Sequence, residues 1–133
     1  MHIEHMTARD RKIAADILSS HYAGAAGLFP ADFLPETGIK VVANGSTVCI
    51  IPVYLEQSSA TAVLGHFIAA PDADKKMLRN AAVSAIDAAK DFARKHGKKY
   101  LLSVFGRRSI NRIADACGFV DADKIEEKIF HLQ

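Results

Sequence analysis

Hydrophobic and polar positions along the chain follow two different periods, and each change of period marks a new element. Apolar residues recur at helical spacing behind a Thr7-x-x-Asp10 cap, which predicts a first helix over residues 8–22, after a short strand near Ile3. Glycines and prolines then interrupt every regular pattern over residues 23–36. This stretch is predicted to be a loop held down by a few apolar side chains.

Strand-like patterns fill the next part of the chain. Two β-branched runs, residues 39–43 and 47–55, flank Asn44-Gly45, the dipeptide that best accepts the positive φ angles of a two-residue hairpin turn. Pro52 has no N–H for a ladder hydrogen bond, so it predicts a bulge, a strand end or an edge in the second run. A third run, residues 61–70, predicts another strand that ends at Pro71.

The longest helical pattern begins at Asp72 or Asp74 and ends at His96-Gly97, where glycine suits a left-handed cap. Its apolar stripe consists of Leu78, Ala82, Ala85, Ile86, Ala89, Phe92 and Ala93, whereas Lys90, Asp91 and Arg94 are predicted to face away. Residues 100–105 form a continuous apolar run, as in a central strand covered on both faces. A short helix over residues 110–117 and a final strand over residues 124–132 complete the pattern.

These elements predict one α/β domain over residues 1–133, with a mixed central sheet flanked by helices. A chain of 133 residues that is 50% apolar can bury a core of its own. It has neither a long apolar run nor a signal-like start, so we expect a cytoplasmic protein with no membrane segment. Cys49 and Cys117 are far apart in apolar contexts, which favours reduced thiols over a disulfide, a redox motif or a metal site.

Charge is distributed unevenly, although the net charge is only +2. Residues 75–112 hold 11 of the 17 Lys and Arg residues but, of the 15 acids, only Asp87 and Asp91. Such a field attracts the phosphates of a cofactor, a nucleic acid or a lipid headgroup. A solvated helix face explains part of the pattern equally well. Nucleic-acid binding is disfavoured, because no exposed aromatics are interleaved with the basic residues.

Two segments carry a resemblance to a known family. Residues 97–105 (GKKYLLSVF) and 109–119 (SINRIADACGF) read as a helix-ending glycine, an apolar strand, a short helix and Gly-Phe. The order resembles that of the GNAT superfamily of acyl-CoA-dependent N-acyltransferases, and the resemblance covers nearly the whole chain. The short length and Leu34-Pro35 are also similar to small GNAT-like proteins of tailed bacteriophages.

The resemblance implies an activity, a cofactor and a partner. The activity is transfer of an acetyl group from acetyl-CoA to an unidentified small-molecule or peptide amine by direct attack. The alternative is a GNAT-fold protein that no longer catalyses and serves as a binding or virion-associated module. An exposed strand edge, near Pro52 or in the final strand, could support a homodimer.

The resemblance also implies binding residues. The pantetheine arm would lie along the strand before the long helix, at Phe67, Ile68 and Ala69. The pyrophosphate would lie at the start of that helix, where an unpaired helix N-terminus favours anions. The residues implied there are Lys75, Lys76, Arg79, Asn80 and Ala81. In the best alignment Arg79 replaces the central glycine of the family's loop, so it either grips phosphate or obstructs its approach.

The residues of catalysis depart further from the family pattern. Ala114 stands where many members carry a tyrosine acid. His66 is the only titratable side chain in the third run, and its ordinary pKa of about 6.5 suits a base that accepts an amine proton. Glu56, at the end of the second run, is a second candidate base. A structural role for His66 and simple exposure for Glu56 remain open alternatives.

Overall fold

The computed structural model of the chain describes residues 1–21, 28–105, 108–121 and 131–132. The elements are β1 (His2–His5), α1 (Ala8–Ser20), a 3-10 turn (Ala31–Phe33), β2 (Gly38–Ala43), β3 (Ser46–Leu55), β4 (Thr61–Leu64), β5 (Ile68–Ala69), α2 (Lys75–Lys95), β6 (Tyr100–Ser103) and α3 (Arg108–Ala116). Residues 124–130 of the predicted last strand lie outside this description, as do residues 22–27 of the predicted first helix and loop.

The strands form one sheet in the order β1-β2-β3-β4-β6, with β5 pairing with β3 beyond the end of β4. Pairs from β1 to β4 are antiparallel, and β6 runs parallel to β4 after the crossover through α2. One core joins β2, β3 and β4 to α2 and α3, and a second joins Ile50 and Ile68 to α1. The architecture confirms the predicted α/β fold with a mixed central sheet flanked by helices.

The hairpin between β2 and β3 has the predicted turn. Asn44 and Gly45 have φ angles of 53° and 77°, the left-handed values that a two-residue turn of this kind requires. β3 begins at Ser46 and continues through Pro52 to Leu55 as a central strand. The turn fixes the register next to it, where Val42 and Ala43 pair with Thr47 and Ser46, and one extra residue at Val48 then shifts the pairing of the rest of the two strands.

The N-terminus of α1 is closed by the predicted pair. The Asp10 carboxylate accepts hydrogen bonds from the Thr7 N–H at 2.8 Å and the Thr7 hydroxyl at 3.0 Å. Lys40 of β2 contacts the same carboxylate at 3.2 Å and that of Glu4 at 3.5 Å. Burial of Asp10 opposes ionisation, but the bonds from Thr7 and Lys40 outweigh it and hold the pKa of Asp10 below its ordinary value.

Replacing Asp10 with asparagine is expected to lower the free energy of unfolding at pH 7 by about 1–3 kcal/mol, because charge-assisted hydrogen bonds are lost. A carboxyl whose folded pKa is lowered stabilises the fold above its unfolded pKa, and this contribution is lost as the pH falls through the folded value. Urea unfolding of both proteins between pH 7 and pH 2 measures the difference. A gap that stays constant as the pH falls below 3.8 would contradict this origin.

α2 begins and ends as the pattern predicts. The Asp74 carboxylate accepts the Met77 N–H at 3.1 Å, and Gly97 takes a φ of 75° just past the helix. The predicted apolar stripe is confirmed, but the outward orientation of Lys90 is wrong. Lys90 is half-buried and its ammonium donates to the Cys117 carbonyl at the end of α3. A C-terminal helix carbonyl is an unpaired acceptor, so the lysine joins α2 to α3.

The third predicted strand is broken rather than continuous. Val53 to Leu55 pair with Leu64 to Ala62, but Cys49 and Ile50 pair with Ala69 and Ile68, so the register shifts by one residue. Residues 65–67 therefore oppose Ile51 and Pro52. The prediction that Pro52 marks a bulge, a strand end or an edge in the second run is wrong, because Pro52 lies inside central β3 and the extra residue is on the strand opposite it. Since side chains alternate with a period of two, the extra residue turns Ile68 towards α1, whereas Leu64 packs beneath α2.

β6 is shorter and more exposed than expected. It ends at Ser103, and Tyr100 and Leu102 are 66% and 40% exposed. Leu101 and Phe105 pack into the core beneath α2 and α3. The prediction that β6 is covered on both faces is wrong for this part of the described chain, because α2 and α3 both pack against the same side of the sheet.

Candidate active site at the end of β4

The strand interruption coincides with the point where β4 and β6 stop pairing. β4 pairs with β6 as far as Leu64 and Ser103, and Val104 donates one further backbone hydrogen bond to the Leu64 carbonyl at 3.4 Å. Beyond residues 65–67, β5 pairs with β3. Among the described strands β5 thus pairs with β3 alone, and we call the space along its other edge, on the side where β6 lies beside β4, the gap.

The pairing pattern identifies which backbone groups face the gap. Ala70 donates to the Val48 carbonyl at 2.9 Å, so residues 70 and 48 form a hydrogen-bonded pair. Such pairs alternate along an antiparallel ladder, which makes Ile68 and Ile50 bonded and Ala69 and Cys49 non-bonded. The N–H and C=O of Ala69 thus point away from β3, towards the side that β6 has left.

The first turns of α2 follow within six residues of Ala69. Leu78 donates to the Asp74 carbonyl at 2.8 Å, and the helix is regular from Lys75 onwards. Residues 76–81, predicted to form the phosphate-binding loop, are therefore wound into the helix. The reason is the Asp74 cap, which starts the helix ahead of Arg79. The backbone N–H groups that can still bind an anion belong to the first turn of α2 and to the turn over residues 70–74 that precedes it.

The residues predicted to hold phosphate divide between two flanks of α2. Lys75 and Arg79 are exposed and lie one turn apart. Arg79 is eleven residues, close to three turns, before Lys90, so both lie on the flank that meets α3. Lys76 and Asn80 lie on the other flank, and Ala81 is fully buried in the core. Because Arg79 is exposed, its side chain is not buried between β5 and β6.

A depression with a volume of about 340 Å³ lies between the β2–β3 turn and the flank of α2 that carries Lys76 and Asn80. It is lined by Met1, Ala43, Asn44, Asp74, Lys76, Met77 and Asn80. It is open, and Asp74 and Lys76 both line it. The Asp74 carboxylate disfavours a multiply charged anion there.

His66 lies in the interruption itself and is held among aromatic rings. Its ring centroid is 5.3 Å from that of Phe29 and 6.1 Å from that of Phe33, and both ring nitrogens are shielded from solvent. Its side chain shares the α1 side of the sheet with Ile68. The imidazole therefore lies on the opposite side of the sheet from α2 and next to the gap.

Glu56 lies elsewhere. It follows β3 four residues beyond Pro52, a separation along the strand of roughly 13 Å. Its exposed carboxylate accepts hydrogen bonds from the Ser58 hydroxyl at 2.7 Å and the Ser58 N–H at 3.0 Å. Hydrogen bonds from the Ser58 side chain and backbone, with those from Ser59, lower the pKa of Glu56 to about 2. Such a weak base favours His66 over Glu56.

Several predicted features of the chain take internal roles. Ala114 is buried against α2. Cys49 is a buried free thiol whose pKa burial raises to about 12, and Cys117 is a half-buried one. Within the basic stretch, Lys98 donates to the Ser59 carbonyl at 2.8 Å, and Arg94 contacts Asp91 at 2.9 Å.

The described ranges contain no group of three potential metal ligands. They also contain no helix long and apolar enough to cross a membrane.

Comparison with solved structures identifies the fold. A probable acetyltransferase superposes with a TM-score of 0.71 at 14% identity, covering 100% of this chain and 99% of that one. The chain has a GNAT-type fold. The aminoglycoside acetyltransferase AAC(6')-Iy gives a TM-score of 0.68 at 14% identity, with 98% of each chain covered.

A ribosomal-protein-alanine N-acetyltransferase from Brucella melitensis biovar Abortus has a similar GNAT-type fold, with a TM-score of 0.67 at 19% identity. It covers 98% of this chain and 100% of its own. No protein-family model matches the sequence, and no curated protein matches it. Identities this low establish the fold, and the function is argued from the site.

Sequence reasoning missed one feature of this site. Gly65 is isolated within a strand pattern, a signal that marks a bulge or a close backbone approach. A Cβ at this position would lie 2.9 Å from Cε2 of the Tyr54 ring. Tyr54 therefore covers the interruption on the α1 side, and glycine is required beneath it.

Proposed function

We propose that the chain is an acetyl-CoA-dependent N-acyltransferase that acts on an amine. The observation that supports this most strongly is the register shift at residues 65–67, at the point where β4 and β6 part. It directs the backbone groups of Ala69 at the gap, where an extended amide-bearing arm can pair with them. AAC(6')-Iy, which shares the fold, has been solved with CoA and with a CoA-derived bisubstrate analogue.

The proposed binding residues follow from the geometry. Phe67, Ile68 and Ala69 would hold the pantetheine arm through the strand backbone. Lys75 and Arg79 would contact the phosphates on the α3 flank, with the N–H groups of the first turn of α2. Lys76, Asn80 and Ala81 complete the predicted set with weaker geometric support. The donor would supply an activated acetyl group as a thioester.

His66 is the proposed base. It would accept the proton that the amine loses as the new C–N bond forms and the thioester C–S bond breaks, and the departing thiolate would take up a proton to leave as the thiol. The remaining acceleration of the reaction would come from holding the amine and the thioester next to each other. We include a cytoplasmic location in the proposal, since free thiols are usual in reducing compartments.

Two observations favour a second candidate, a GNAT-fold protein that binds without catalysing. The helix starts ahead of the aligned phosphate motif, and the Asp74 carboxylate occupies a helix N-terminus where the proposal requires an anion. Ala114 also provides no acid near the thiolate. Such a protein would bind CoA weakly or not at all.

Thermal unfolding with and without acetyl-CoA tests the proposal. Ligand at 100 times its dissociation constant is expected to add about 2.7 kcal/mol of stability. Adenosine 3′,5′-bisphosphate, which lacks the pantetheine arm, is the matched control and should stabilise less. No stabilisation by either compound would favour the second candidate.

The Ala69→Pro variant is expected to lose most of the acetyl-CoA stabilisation while unfolding at nearly the same temperature without ligand. Proline removes an N–H that faces the gap and leaves the ladder to β3 intact. Ile68→Pro is the matched control, because by the same pairing its N–H is bonded to β3 and its loss should destabilise the free protein. Equal acetyl-CoA affinity in the Ala69→Pro variant and the wild type would show that this backbone does not hold the arm.

A further inference from the structure

The side of the sheet that carries His66 continues as an apolar surface away from the interruption. The Tyr54 ring lies over Gly65, and its hydroxyl donates to the Phe33 carbonyl at 3.2 Å. Tyr54 pairs with Val63, and Val63 pairs with Leu102, so three neighbouring strands present apolar side chains in one row.

We call this surface the acceptor face and define it by Phe33, Tyr54, Val63, His66, Tyr100 and Leu102. Tyr100 and Leu102 are 66% and 40% exposed, and the other members are half-buried. Tyr100 and Leu102 lie on the same side of β6, next to the row of partly buried apolar side chains, so the apolar surface is continuous across three strands. The acceptor face also borders the gap on the side away from α2.

Charges near the acceptor face are few within the described ranges. Glu36 already contacts Arg11 at 3.4 Å, and Asp32 stands by itself beside Phe33. Glu56 follows Tyr54 by two residues, and its carboxylate already accepts hydrogen bonds from the hydroxyl and N–H of Ser58. A polycationic amine such as an aminoglycoside requires several carboxylates to replace its hydration. A related fold has been solved with sisomicin, but the acceptor face suits a different ligand.

We propose that the acceptor is a primary monoamine attached to an aromatic or other apolar group, which lies on the acceptor face with its nitrogen at the strand interruption over residues 65–67, next to His66. This inference rests on the acyltransferase function proposed above. The rings of Phe33 and Tyr54 offer edges and faces to an aromatic ring, and Leu102 extends the apolar contact. One ammonium group that must lose its proton before attack requires a base and not a carboxylate cage.

The test is a titration followed by NMR, without acetyl-CoA, of the full chain with 2-phenylethylamine and, separately, with neamine. We expect 2-phenylethylamine to bind at least about tenfold more tightly than neamine, and the Phe33→Ala variant to lose about tenfold in affinity. Phe92→Ala is the matched control. Phe92 is also a half-buried phenylalanine beside histidines, with ring centroids 5.6 Å from His5 and 4.4 Å from His96, but it lies on the α2 side.

Each other outcome overturns the inference in a recognisable way. Tighter binding of neamine, no binding of 2-phenylethylamine, or equal losses in the Phe33→Ala and Phe92→Ala variants would each exclude this acceptor class. If Phe33→Ala does not fold, Leu102→Ser tests the same face at an exposed position. A dimer that Leu102→Lys dissociates would assign the face to a second copy of the chain. Failure of acetyl-CoA to stabilise the chain overturns the acyltransferase proposal itself, whereas a preference for neamine overturns only the acceptor class.

Discussion

Replacing His66 with glutamine is expected to lower kcat for acetyl transfer by about 10²- to 10⁴-fold, the usual contribution of a positioned general base. His66 lies in the strand interruption with both ring nitrogens shielded from solvent, so the proposed role requires a neighbouring aromatic ring to move when the amine binds. Glutamine is similar in size and polar, but it cannot accept a proton at neutral pH. The measurement is thiol release from acetyl-CoA with 2-phenylethylamine as the acceptor.

Stabilisation by acetyl-CoA in thermal unfolding should be unchanged in the His66→Gln variant, because the donor lies across the gap. Glu56→Gln is the matched control and should keep kcat within about twofold, since a change in an exposed side chain away from the site has little effect. A large loss of kcat in Glu56→Gln, with His66→Gln unaffected, would reverse the two assignments.

The Ile51→Ala variant is expected to lose about 2–5 kcal/mol of the free energy of unfolding, because it removes three buried carbon atoms and leaves a cavity. Ile51 is fully buried in the core beneath α2 and opposes the strand interruption. Stabilities of small domains are about 5–15 kcal/mol, so this one change removes a large fraction. Urea unfolding at pH 7 measures it.

Ile13→Ala is the control for the same chemical change. Ile13 is 56% exposed on α1, and alanine favours helix more strongly than isoleucine. We expect its free energy of unfolding to stay within about 0.5 kcal/mol of the wild type. Similar losses at the two positions would mean that the β3 core is less tightly packed than the structure indicates.

Local signals were sufficient where one short segment decides the conformation. Asn44-Gly45 accepts two positive φ angles, Asp74 supplies a cap, and Gly97 ends the long helix, and each feature is found as predicted. Each depends on a few consecutive residues and little on the rest of the chain. The order of these elements was enough to indicate the GNAT-type fold.

Features that depend on pairing between distant segments were not predictable in the same way. The third run reads as one strand, and its division at residues 65–67 becomes visible only in the register against β3. Lys90 was assigned to solvent because its partner, the Cys117 carbonyl, is 27 residues away. Residues 76–81 were aligned with the family's loop, although the Asp74 cap predicted from the same sequence already places them inside α2.

In the candidate site, too, some features could be predicted from a short segment and others depended on contacts between distant segments. His66 was found from its chemistry, as the titratable side chain of its strand. The aromatic rings around it come from the 3-10 turn and from β3, which sequence spacing does not place together. The separation of Lys75 and Arg79 from Lys76 and Asn80 follows from the predicted helix, because successive residues are rotated by about 100°. Which of the two flanks meets α3 required the structure.

The odd residue in the interrupted strand also limits how this chain can change length. Removing one residue from positions 65–67 would straighten the pairing, but it would send Ile68 to the α2 side and leave the hydrophobic layer against α1 unfilled. Adding one residue would also send Ile68 to the α2 side, because side chains alternate with a period of two. Insertions and deletions here therefore disturb two cores at once, so the length of this segment is held by packing as well as by any chemistry it serves.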